Sequence, residues 1–334
     1  NSSKSSTGQS SFLDPKQRAM EQEIESAKET AFQADRKSLI SIYILCRVLI
    51  EIVKQAPDNS DDDLSDKLEE IVFTQLKTTD PISISSSIIK SSNWNSFAEL
   101  LGCMSEKKFM SVSDRFIADL EKIPTYISRE LEPSIHLLIL GMRYLKLKNY
   151  PLELFEESAD FVKSVAKFFS TAQNFSVRLA YAEVISQLLL PLAGSLTAEV
   201  NHPTWVEAMS MILNTCKRLQ SDNKFWSSAF KLRVSVLSVA PQELFAENWT
   251  LLVEKNISKI KSKSLSERTS FAVGLSRLVW VYLFRCTETL NNTERALKKL
   301  FALFLNSKKK DNWITADMDL INPLVDVLVT IGYL

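Results

Sequence analysis

Glycine is scarce, with only 6 in 334 residues. Phosphate-cradling loops, nucleophile elbows and tight β-hairpins depend on it, because they need positive φ or close backbone approach. The shortage argues against doubly wound nucleotide-binding folds and against all-β folds. Histidine is scarcer still: His136 and His202 are the only two. A Ser-His-Asp or Cys-His arrangement needs one of them beside a nucleophile and an orienting carboxylate. His136 lies in the apolar run SIHLL and His202 precedes Pro203, settings that suit structural rings. The patterns HExxH, GxGxxG, DxDxDG and GxxxxGK before Ser or Thr are all missing. The carboxylate pairs Glu69/Glu70 and Glu156/Glu157 are adjacent in sequence. Adjacent residues on a helix point about 100° apart, which suits solvated faces better than a shared acid–base site. No catalytic reading emerges, and none for a cofactor or metal.

The cysteines Cys46, Cys103, Cys216 and Cys286 form no CxxC pair and sit far apart in apolar segments. They read as free thiols in a reducing compartment rather than as a disulfide framework or zinc site. The Asn-x-Ser/Thr triplets at Asn174, Asn248 and Asn256 have no accompanying sign of secretion. Net charge is also lacking, since 40 basic residues balance 40 acidic ones. A nucleic-acid binder normally carries a basic excess that neutralises phosphates, so no nucleic-acid partner is expected. The longest apolar stretch, 38–53, is broken by Arg47 and Glu51 and falls short of a bilayer span. No signal peptide is visible, and the chain reads as soluble and cytosolic. It also lacks an initiator Met and stops after Gly332-Tyr333-Leu334, as a fragment of something longer would.

What is present is helical periodicity. Residues 1–13 are Ser-rich and aperiodic, as expected of a disordered leader or a cloning remnant, and 14–334 form the helical region. Asp14-Pro15 and Asn322-Pro323 look like an N-cap followed by proline at the first helical position; Pro151, Pro203 and Pro241 mark comparable starts. Capping boxes are expected at Ser96/Glu99, Thr204/Glu207 and Ser264/Glu267. Val112, Phe116, Leu120 and Ile123 fall on one helical face. Residues 36–56 and 175–199 are apolar on more than one face, so each should be packed between neighbours on several sides. The acidic run at 58–63 (DNSDDD) and the basic run at 307–311 (SKKKD) read as solvated connectors. A dozen or more helices joined by short turns predict an all-α fold, a HEAT/armadillo-like helical repeat solenoid, with a compact bundle as the competing picture.

Several blocks carry a resemblance. They are 93–102 (NWNSFAELLG), 111–116 (SVSDRF), 141–148 (GMRYLKLK), 180–184 (AYAEV), 199–205 (EVNHPTW), 280–288 (WVYLFRCTE) and 331–333 (IGY). In this order they resemble the N-terminal cell-morphogenesis region of the Furry family, with EVNHPTW and WVYLFRCTE closest to fungal members. The resemblance implies very large proteins built of HEAT/armadillo-like repeats, without cofactors. Such proteins act as scaffolds for NDR-family kinases and their Mob co-activators, in Hippo-like pathways controlling polarised growth, cell morphogenesis and cell separation. It also implies a cytoplasmic location at the cell cortex or sites of polarised growth, and animal relatives add tubulin as a further candidate partner.

Within these blocks, Trp94, Trp205 and Trp280 are expected to anchor helix packing or an interface. Arg143 and Arg285 lie in apolar surroundings, where a buried guanidinium needs a carboxylate. Glu183, Glu199 and Glu288 are the candidate partners, clamping adjacent repeats. Lys255, Lys259, Lys261 and Lys263 could line a groove that meets an acidic partner. Trp205 and His202 join them as candidate partner-binding residues.

Overall fold

The computed structural model describes residues 15–56, 62–124, 126–219, 225–286, 298 and 318–331. The leader at 1–13, residues 58–61 of the acidic run, the basic run at 307–311, and Glu288 lie outside them. Thirteen helices are described: α1 (Pro15–Gln55), α2 (Asp62–Thr78), α3 (Pro81–Ser86), α4 (Ile88–Met104), α5 (Phe109–Leu120), α6 (Glu132–Gly141) and α7 (Leu152–Thr171). After these come α8 (Phe175–Leu189), α9 (Pro203–Leu219), α10 (Trp226–Ser238), α11 (Gln242–Asn256), α12 (Leu265–Arg285) and α13 (Met318–Ile331). Short 3₁₀ turns at Met142–Tyr144, Leu190–Gly194, Ala198–Asn201 and Ile257–Lys261 extend several of them. No strand occurs among the described residues. The fold is all-α.

Local start signals explain most of the helix boundaries. Pro151 and Pro241 stand at N-cap positions and Pro203 opens α9. Ser264 caps α12 by accepting from the Glu267 backbone N–H at 3.4 Å. The Glu267 carboxylate does not reach back to close the box. It accepts from Lys259 at 2.8 Å and Ser262 at 2.5 Å instead. Two expected boxes are corrected. Ser96 lies inside α4 with its hydroxyl donating to the Ser92 carbonyl, and Ser87 is the actual cap. Thr204 falls within the first turn of α9, two residues past the cap position at His202. Pro323 is likewise not a start: α13 begins a turn earlier, so the missing N–H removes a single intrahelical bond near that end.

Packing follows alternate helices. α6 packs on α8, α8 on α10, α10 on α12 and α12 on α13, while α5 packs on α7 and α7 on α9. Contacts of α7 with α8, α9 with α10, and α11 with α12 join the two layers. Such stacking is how a helical-repeat array buries the stripe that no helix pair buries alone. The window Phe175–Gly194 is long and apolar enough to cross a membrane by length and composition, and half of it is buried. It is α8 with its following turn, held between α6 and α10, as the expected many-sided packing of 175–199 requires. The same expectation for 36–56 is only half met. Cys46 and Ile50 are buried and α1 packs on α4, but Ile44, Leu45, Val48 and Ile52 stay exposed.

Aromatic anchors fix the layers. Trp94 Nε1 donates to the Leu76 carbonyl at 3.2 Å, and Trp205 Nε1 to the Val239 carbonyl at 2.9 Å. Trp226 Nε1 donates to Asn256 Oδ1 at 2.6 Å, and Trp249 stacks between Phe245 and Tyr282. Gly102 lets α4 lie directly on the backbone of Tyr144, where a Cβ would overlap the carbonyl. Gly274 brings α12 equally close to Phe230.

Ion pairs tie α2 to α5. Glu69 is fully buried and bonds to Arg115 and to the Ser111 hydroxyl, contrary to its reading as a solvated residue; Glu70 is exposed. The register of α2 turns only one of the two inward. Asp119 lies 2.7 Å from Lys77 Nζ, an ionic contact outside hydrogen-bond geometry, and accepts from Lys122 at 2.9 Å. Burial raises its pKa, but the two ammonium groups outweigh that and hold it below the usual carboxylate range.

Two predictions follow from this packing. Gly102→Ala should destabilise the chain by about 1–3 kcal/mol, since overpacking against fixed backbone cannot relax cheaply; chemical denaturation measures it. A carboxylate with a depressed folded pKa contributes stability above its unfolded pKa and loses it as pH falls through the folded value. Unfolding free energy should therefore hold near neutrality and decline below about pH 4, with Asp119→Asn flattening that decline in acid titrations.

Candidate functional site

α12 carries two apolar stripes. Phe271, Leu275, Leu278 and Tyr282 are buried in the array, while Val273, Trp280 and Phe284 face outward. Trp280 is 49% exposed and stacks on Phe284 with ring centroids 5.3 Å apart. It is thus the one signature tryptophan outside the core. Phe284 of the outward stripe lines a separate cavity with Leu196, Val200 and Arg285, whereas Val273 and Trp280 line a groove made of two adjoining cavities. One, of about 590 Å³, lies between the turn after α8, α12 and α13; the other, of about 310 Å³, lies between α8, α10 and α12. Leu190, Val273 and Arg277 line both. Arg277 is half-buried at the junction, and burial pushes its pKa down from the usual arginine range. Among the described residues it makes no ion pair within 4.0 Å, although Asp326 lines the same groove from α13. An arginine stays charged in proteins, so this guanidinium is left to seek an acceptor.

The residues singled out from sequence fall in several places. Trp205 is fully buried against Phe155, with centroids 5.3 Å apart, and offers no surface to a partner. His202 packs edge-on to Phe155 with Nε2 3.6 Å from Glu156. His136 Nδ1 meets the Ser176 hydroxyl at 2.9 Å, joining α6 to α8. Lys259 pairs with Glu267 at 2.8 Å and lies 4.8 Å over the Trp226 ring, so it belongs to the corner between α11 and α12. Lys255, Lys261 and Lys263 are exposed at that corner. The lysine segment packs on α12 and Trp226, whereas His202 and Trp205 pack on α7, so the structure does not gather them into one site.

The carboxylate clamps take another form. Arg143 bonds to the Asn95 amide oxygen and lies 4.9 Å over Tyr144 and 5.7 Å over Trp94. Glu183 is exposed and accepts from Gln187 on its own helix. Arg285 is half-buried, with Nε and one terminal nitrogen unsatisfied, and lies 6.0 Å over Phe284. Glu199 influences it electrostatically, but that carboxylate is held by its own backbone N–H and by the backbone and hydroxyl of Thr197, which together keep its pKa down. A neutral amide plus aromatic faces, rather than an acid, solvate Arg143; helix spacing alone does not reveal this.

Among the described residues no three His, Cys, Asp or Glu side chains gather as a metal-holding group. Cys46, Cys103 and Cys216 are buried free thiols and Cys286 is half-buried. Burial raises the pKa of all four. The outward stripe has a signal in the sequence. Val273, Arg277, Trp280 and Phe284 recur at spacings of four, three and four, a second stripe beside the buried one.

The two arginines should separate on substitution. Arg143→Met removes a hydrogen bond and two ring contacts and should cost about 1–2 kcal/mol. Arg285→Met removes an unpaired, half-buried charge and should leave stability within about 0.5 kcal/mol of the parent or raise it. Thermal unfolding of the two variants side by side is the check.

Comparison with known proteins completes the description. The family profile described as Cell morphogenesis N-terminal matches residues 35–334. The chain is 72% identical over 333 residues to Cell morphogenesis protein PAG1 of Saccharomyces cerevisiae, covering 100% of this chain and 14% of that protein. It is 37% identical over 251 residues to Cell polarity protein mor2 of Schizosaccharomyces pombe, covering 74% of this chain and 11% of that protein. The chain thus spans a small part of the length of these relatives. No solved structure matches it. The array of paired helices, the sequence blocks along it and these two relatives together place the chain in the cell-morphogenesis N-terminal family, within the fungal branch of the Furry proteins.

Proposed function

We propose that the chain is a non-catalytic scaffold segment in an NDR-kinase/Mob pathway of the Hippo-like type, controlling polarised growth, morphogenesis and cell separation. The family supports the role in morphogenesis and polarity, and the resemblance supports the kinase and its co-activator as partners. The observation that carries the docking reading is the groove along α8, α10, α12 and α13. It presents Trp280 and Arg277 on a rigid layer, with Phe284 stacked on Trp280 outside the groove lining, the aromatic and arginine chemistry that dominates binding hot spots. Holding kinase and co-activator on one chain raises the effective concentration of each at the other, which requires a fixed surface and no reaction centre. The place of action is the cytoplasmic side of the cortex at sites of growth.

A second reading rests on Lys255, Lys261 and Lys263, exposed together at the corner between α11 and α12. That corner suits an acidic polymer surface such as the tails of tubulin, in which case the segment binds microtubules or the cortex and the kinase site lies elsewhere in the longer protein.

Capture of purified NDR kinase, Mob and their complex on this chain, beside tubulin co-sedimentation, tests both. Trp280→Ala with Arg277→Glu should weaken kinase–Mob capture at least tenfold, while charge reversal at Lys255, Lys261 and Lys263 leaves it intact. Undiminished capture by the groove variant would refute the docking site. Loss confined to tubulin with the lysine variant, and no kinase–Mob capture by the parent, would establish the second reading.

A further inference from the structure

α1 is the longest helix described, at 41 residues, and among the described residues the side chains it buries, Cys46 and Ile50, lie in its C-terminal half. Its buried side, centred on Cys46 and Ile50, rests on α4. A different side carries a seven-residue repeat. Starting from Met20 and Ile24, steps of alternately three and four residues lead through alanines 27, 31 and 34 and serines 38 and 41 to Leu45, Val48 and Ile52. Every one of these positions is exposed, and the five large side chains are between 44% and 64% accessible. An apolar line held in this register along one helix is the seam of a coiled coil. The seam spans about 50 Å at the helical rise of 1.5 Å per residue.

The flanking charges say which helix fits it. In a parallel, in-register pairing, the position just before every second seam residue, that is before 24, 31, 38, 45 and 52, faces the position five residues later on the other helix. That rule, carried one repeat back, sets Lys16 opposite Glu21; it sets Glu23 opposite Lys28 and Thr30 opposite Asp35, and farther along Lys37 opposite Ile42, Ile44 opposite Leu49 and Glu51 opposite Ala56. No like charges meet. Reversing the second helix, with Met20 laid against Ile52, would instead bring Glu23 near Glu51 and set Lys37 against Lys37 and Asp35 against Asp35. The small central residues allow close approach of the two backbones, and the serines penalise any slip that would place large side chains across from them.

We propose that α1 is a self-association helix, joining two copies of this chain through a parallel two-stranded coil along the 20–52 seam. The seam lies away from the groove on α12, so a dimer displays two docking grooves, and the inference stands whether or not the groove binds a kinase.

Sedimentation of the 334-residue chain over about 1–100 µM tests this, the range bracketing ordinary homodimer affinities. The parent should run at twice its 37.9 kDa mass. Leu45→Glu with Val48→Glu should weaken association at least a hundredfold, with thermal unfolding and far-ultraviolet dichroism unchanged because both side chains are exposed. Ser41→Cys supplies a test that needs no destabilising charge. In the parallel register the two introduced thiols face each other, and mild oxidation should link them, whereas the parent, retaining Cys286, should not link. A parent that stays monomeric throughout overturns the proposal. A dimer that survives the glutamates, or one in which Ser41→Cys does not cross-link, overturns the parallel pairing along this face.

Discussion

α10 is where the physical constraint on this array is tightest. Ten residues between Trp226 and Ser238 are buried, because α8, α9, α11 and α12 all close on a helix of 13 residues. Burial of that kind leaves only a narrow outer edge, at Ser227, Ser228 and Lys231, so the surrounding helices must take positions that interdigitate with it. Trp226 ties its start to Asn256 of α11, Trp205 ties α9 to the chain just past its end, and Gly274 allows α12 to approach Phe230. The spacing of the outer helices, and hence the walls of the groove, is a consequence of filling the space around α10.

This rigidity matters for a segment whose family relatives are morphogenesis and polarity proteins. A docking surface costs less to occupy when its side chains are already held in place. Trp280 and Phe284 stack on each other, and the turn of α12 beneath them is locked by Leu278 and Tyr282. Arg277 sits between the two cavities, where burial makes its charge more demanding of an acceptor than a surface lysine would be. At the corner of α11 and α12, by contrast, Lys259 has spent its charge on Glu267.

The arginines show how the array handles charge without a paired acid. Arg143 lies between aromatic faces and a neutral amide, and among the described residues no carboxylate pairs with it. The acids are used elsewhere. Glu69 and Asp119 bind α2 to α5, and Glu199 and Glu267 serve turns and caps. Charge in this molecule positions helices, and apolar area holds them.

The sequence by itself determined that the chain is helical, where α7, α9, α11 and α12 begin, and which family it joins. Those properties are local: proline geometry, a capping serine, periodicity and short residue blocks are legible within a few turns. It also showed that 36–56 and 175–199 carry more apolar surface than one neighbour can cover. Only the tertiary structure decided that α8 is held between α6 and α10 while, among the described residues, α1 rests on α4, since that depends on which helices come to lie on each face. It alone buried Glu69 and exposed Glu70, sent Trp205 inward and Trp280 outward, and set Arg143 against Asn95 rather than an acid. Each of those outcomes depends on which neighbour a face meets, and residues far apart in the chain supply that neighbour.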